Sequence, residues 1–116
     1  MNRIIDKQTS EHYFWGEGCD SWVLADTEGL SVKQEQMPHG TKEVLHYHEK
    51  AQQFFFILKG TATFYLDGEK KIVTAHKGIL IKARTRHFIA NETKDALEFL
   101  VISQPTTKID RITIDL

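Results

Sequence analysis

Short runs of β-branched and aromatic residues recur roughly every ten residues along this chain, separated by turn formers, and almost nothing repeats with the helical period. The runs fall at residues 21–24, 29–36, 44–48, 53–58, 61–66, 71–74, 78–81, 87–90 and 97–102. Asp67-Gly68 sits between two of them, and an Asp-Gly pair so placed specifies a tight hairpin. Residues 53–58 are apolar on both faces, as in a central strand buried between two layers. The tail, residues 112–116, alternates again and is expected as a last strand, one able to lie on a partner subunit. Helix is expected only as a short turn over residues 11–15, capped by Ser10. A series of this kind builds an all-β antiparallel sandwich or small barrel.

With 116 residues the chain is expected to be one domain, residues 1–116. Residues 1–25 then flank a barrel core over 26–104, and 105–116 form the tail. Fifteen Lys and Arg balance 16 Asp and Glu, so no positive field gathers a phosphate backbone and no nucleic-acid partner is expected. The longest apolar run, residues 54–58, is far too short to span a membrane, and no membrane partner is expected. Cys19 is the only cysteine, which excludes an internal disulfide and any zinc site needing two thiolates. With no apolar secretory region near Met1, the chain reads as cytoplasmic. Asn91-Glu-Thr93 then matches the glycosylation sequon by chance.

The chemistry lies in the six histidines. Side chains two apart on a strand share a face, so His46 and His48 can converge two imidazoles on one point, which is metal-ligand geometry. Gln53 has the opposite parity and joins them only if the chain turns through residues 49–52, which are polar enough to turn. His87, just after a loop, is the natural source of a third imidazole. His12, His39 and His76 read as surface or loop residues, and Cys19 as an inert buried thiol. Gly16-Glu-Gly18 lacks the third glycine of a phosphate-binding fingerprint.

His46-x-His48, four residues, Gln53, six residues and Gly60, with Gly40 ahead of them, resembles the first motif of the cupin superfamily. His87 followed after three residues by Asn91 resembles the end of the second, and the likeness runs from about residue 40 to 102. It implies a small single-domain cupin: a double-stranded β-helix, or jelly-roll, barrel with little helix. It also implies one divalent metal (Zn, Fe, Mn, Ni or Cu) held by His46, His48, Gln53 and His87 inside one open end, and commonly a homodimer. Two departures stand out. Gln53 occupies a position usually held by Glu, leaving the ion's charge uncompensated, with weaker binding and a stronger Lewis acid as the consequence. Lys82-Ala-Arg84 replaces a Pro-x-Gly turn, which makes the loop before His87 basic.

Phe55, Ile57 and Ile89 share the expected inward phase and are candidates to line the pocket, with Trp15 and Trp22 closing its mouth and Arg84 facing an anionic ligand. Two functions fit this site. One is a metalloenzyme, an oxygenase or isomerase acting on a small organic molecule. The other is a non-enzymatic module that binds a small molecule such as a carbohydrate. A titratable acid or base aimed at the pocket would favour the enzyme; the candidates are Tyr47, expected to face away from the pocket, and Glu98, whose direction the sequence does not fix.

Overall fold

The computed structural model describes residues 3–114, and among these every regular element is a strand. One antiparallel sheet runs in the order β1 (Glu11–Trp15), β2 (Cys19–Asp26), β3 (Ser31–Met37), β10 (Leu97–Gln104), β5 (Gln52–Lys59), β8 (Gly78–Ile81). The second runs β11 (Ile112–Thr113), β4 (His46–Tyr47), β9 (His87–Ala90), β6 (Thr61–Leu66), β7 (Glu69–Thr74). Their inner faces share one core, giving the all-β jelly roll expected from the sequence. Among the described residues no helix is long and apolar enough to cross a membrane.

Alternation decides what enters that core. Along β10, Leu97, Phe99, Val101 and Ser103 are buried and the residues between them are not. Register carries the inward phase across the sheet: Phe99 lies between Glu35 and Ile57, Val101 between Lys33 and Phe55, Ser103 between Ser31 and Gln53. The inner face therefore grades from apolar to polar along the strands. At the apolar end Phe55 meets Phe64 and Phe99 at ring separations of 5.0 and 5.6 Å, and trimming such a buried ring to alanine costs about 3–5 kcal/mol.

Two turns show local sequence at work. Leu66 pairs with Glu69, leaving Asp67-Gly68 as a two-residue loop with φ of 49° and 83°, the conformation that twists a hairpin correctly. Gly60, at φ 87°, passes so close to the next strand's approach that a Cβ would sit 2.7 Å from the Ala96 carbonyl oxygen. Glycine is required there by space as well as by dihedral angle.

The structure corrects several expectations. Residues 11–15 form a strand, because pairing from Glu11↔Val23 to Trp15↔Cys19 outweighs a weak helical start. The strand expected over 44–48 shrinks to His46–Tyr47. The outer face of β5 is not covered by a second layer, since a two-layer molecule without helices has nothing to place there; Phe54 is 37% exposed. The tail strand lies on its own barrel, Ile112 opposite Tyr47 and Thr113 opposite His46. Residues 115–116 of that expected strand lie outside the described residues. Asn91 is buried and fully bonded, donating to Met37 and Asp95 carbonyls and accepting from Thr93, so it is no glycan acceptor.

Candidate metal centre

β4 and β9 pair through a single register position, His46 opposite His87, and His48 follows on the same side two residues along. All three are buried. Their ring centroids lie 4.4, 5.0 and 5.7 Å apart, and a ring nitrogen from each falls within 4.8 Å of the others.

Main-chain carbonyls set their protons. The Nδ1 of His46 reaches the Val44 carbonyl at 2.7 Å, that of His48 the Asp110 carbonyl at 2.8 Å, and that of His87 the Thr85 carbonyl at 2.8 Å. A carbonyl only accepts, so each Nδ1 carries the proton. Burial, with help from Arg111, pushes the pKa of His46 down to about 3; burial pushes that of His87 down to about 4 and also lowers that of His48. The rings are therefore neutral at neutral pH, each with a bare lone pair on Nε2.

Gln53 completes the set. The chain turns at residues 49–51, so β5 begins in the phase that carries Gln53 inward, as the parity argument required. Its amide donates to Ser103 Oγ at 3.0 Å, and its carbonyl oxygen lies 3.3 Å from His87 Nε2. Two acceptors thus face each other, while His48 Nε2 is buried with no hydrogen-bond partner among the described residues. Four convergent lone-pair donors with no proton among them suit a divalent cation, and imidazole with amide oxygen suits Zn, Fe, Mn, Ni or Cu. The three-carbonyl support is the outer ring of contacts such ligands need.

A cavity of about 340 Å³ opens beside this cluster, and His46, His48, Gln53, Phe55 and Trp15 line it. Its other walls include Tyr13, beside Trp15, and four residues that sequence reasoning missed: Lys33, Glu35, Glu43 and Arg111. Glu43 accepts from the Ile89 N–H at 3.1 Å, and burial raises its carboxyl to about 7. Burial raises Glu35 as well. Glu35 was detectable, since it is a charged residue in the inward phase between Ser31 and Met37. Glu43 and Arg111 lie outside the strands, and no local pattern marks them.

Other pocket candidates lie elsewhere. Ile57 and Ile89 are fully buried in the apolar core and do not reach the cavity. Trp22 packs under Lys7 and beside His12 on the outside of the sheet. Arg84 points to solvent, 76% exposed beside Glu49, because its backbone takes φ 68° where the family motif has a turn. Its N–H nevertheless serves the site, donating to the His48 carbonyl at 2.7 Å. Glu98 bonds Lys7 and Gln34 instead of facing the cavity.

Comparisons with known proteins bear on the fold and the family. An uncharacterised protein of Methanocaldococcus jannaschii is 33% identical over 75 residues, 65% of this chain and 60% of its own length. The chain spans 21–63% of the length of three curated relatives that it matches. A polyketide cyclase of Streptomyces resistomycificus superposes with a TM-score of 0.86 at 15% identity, covering 100% of this chain and 87% of its own. A sugar phosphate isomerase from the cupin superfamily of Silicibacter pomeroyi gives 0.80 at 20% identity, covering 90% and 76%. The family model described as the cupin domain matches residues 33–103, more than half of the sequence and the whole of the histidine cluster. The chain belongs to the cupin family.

Proposed function

We propose that this protein is a metal-dependent enzyme acting on a small organic molecule, with one divalent ion held by His46, His48, Gln53 and His87. The observation that carries the reading is the protonation pattern: three Nδ1–H groups are committed to carbonyls, so every inward-facing atom of the cluster is an acceptor. When bound, the ion supplies Lewis-acid polarisation of a substrate oxygen.

Enzyme is favoured over binding module because a proton-transfer group faces the cavity. Glu43, with its carboxyl near 7, is present in both forms at neutral pH and suits either direction of transfer. The Ile89 N–H fixes one of its oxygens, and the other lies 3.9 Å from Arg111 Nη1. Trp15 and Tyr13 line the same cavity. A carboxyl poised for proton movement points to isomerase chemistry ahead of oxygenase chemistry, and a sugar phosphate isomerase shares the fold.

Elemental analysis of untagged protein should find about one divalent ion per chain, and His48→Ala should lose it. Proton NMR in D2O over hydroxy- and keto-compounds should then show a C–H signal exchanged by wild type. Glu43→Gln should slow that exchange by at least about 100-fold with metal content unchanged. Full metal in His48→Ala would remove the site, and a metal-loaded protein that exchanges no proton would be a binding module.

A further inference from the structure

The family match ends at residue 103, yet part of the cavity wall comes from beyond it. Asp110 docks the returning tail. Its carboxylate accepts the N–H groups of Glu49, Lys50 and Ala51 at 3.0, 3.0 and 2.9 Å, while its carbonyl holds His48. Arg111 is thereby set at the rim. Its side chain is 44% exposed, and its Nη1 lies 3.9 Å from Glu43 Oε2, beyond hydrogen-bond range. No side chain among the described residues accepts a hydrogen bond from that guanidinium. Across the cavity, Lys33 donates to the Tyr13 hydroxyl at 2.8 Å, and Lys42 adds a third cation to the same walls. Only Glu35 and Glu43 oppose them among the lining residues.

A guanidinium paired only loosely with Glu43 and with no hydrogen-bond acceptor among the described residues, at the mouth of a cavity whose floor is the proposed cation site, is arranged for an anion. We propose that Arg111 is the specificity residue of this pocket and receives the carboxylate of a small organic acid, a reading that names the substrate class and rests on the pocket chemistry proposed above. The planar fork matches a carboxylate's two oxygens, and a cavity of about 340 Å³ is near the lower limit for ligand sites, which keeps the acid small.

Calorimetry tests this with short hydroxy- and keto-acids, their amides and inorganic phosphate, on zinc-loaded wild type, Arg111→Gln and Arg111→Lys. Acids should bind in the micromolar to millimolar range and exceed their amides by at least about tenfold. Arg111→Gln should erase that preference and Arg111→Lys restore part of it, both compared at full zinc loading because removing a cation beside His46 shifts zinc affinity by itself. Equal affinity for acid and amide, a preference that survives Arg111→Gln, phosphate binding as tightly as the acids, or no acid binding at all would overturn the proposal. Loss of zinc by wild type with the acid preference intact would instead remove the metal reading and leave Arg111 in its role.

Discussion

At the scale of single residues, the charge of the site turns on Gln53. Three neutral imidazoles and a neutral amide leave a divalent ion's charge unanswered in a buried setting, where an anionic oxygen would count for more than in water. Gln53→Glu should therefore tighten zinc by at least about tenfold, read by competition with a chelator. Looser binding would mean that Gln53 is not a ligand and instead hydrogen-bonds a bound molecule. Strand spacing paired His46 with His48 and, through one turn, allowed Gln53, while the full set with His87 came from the resemblance to the cupin motifs. It said nothing of Glu43 or Arg111, which irregular chain delivers and only tertiary docking places. Arg84 shows the opposite failure: its position was legible, but a left-handed backbone sends the side chain outward.

Among the elements, the tail is the piece whose removal the site would feel most. Asp110 satisfies three N–H groups of the turn between β4 and β5 and orients His48, so it holds both the ligand and the turn that sets the phase of Gln53. Asp110→Ala should weaken zinc by about 10–100-fold while the aromatic core stays packed, which chelator competition and near-ultraviolet circular dichroism would separate. Unchanged affinity would mean that the Asp110 carbonyl keeps its place without the carboxylate. The β6–β7 hairpin was readable from Asp67-Gly68, because that dipeptide determines its own dihedral angles. β1 was not, since its helix signal and its strand pairing compete and the partner strand decides. The doubly apolar β5 was misread for a related reason: sequence reports that both faces are apolar, not whether a second layer exists.

For the molecule as a whole, the buried groups oppose one another in acid. In the metal-free protein His46, His48 and His87 have pKa values below their ordinary 6.5, at about 3 for His46 and about 4 for His87, so the unfolded chain binds more protons through that window. Their contribution is lost as pH falls below 6.5. Glu43, raised from 4.5 to about 7, and Glu35, also raised by burial, work the other way: they favour the folded state below 4.5 and lose that advantage as pH rises. His46 and His87 against Glu43 leave a net fall on the order of 1 kcal/mol per pH unit between about pH 6 and 4.5, steeper in Glu43→Gln. Urea titrations of chelator-treated protein would show it, and a flat profile would contradict the buried, neutral histidines. The dimer expected from the sequence needs the outer face where Leu30, Phe54 and Leu80 are exposed. Light scattering should report twice the chain mass, and Phe54→Glu should halve it; a wild-type monomer at micromolar concentration removes the expectation. Finally, the tie between His48 and Asp110 spans 62 residues. During synthesis the paired histidines emerge long before the segment that orients them, so a cation met early finds only loose imidazoles. On the metal reading proposed above, selection is then deferred until the barrel has closed, and is made by finished geometry instead of by order of encounter.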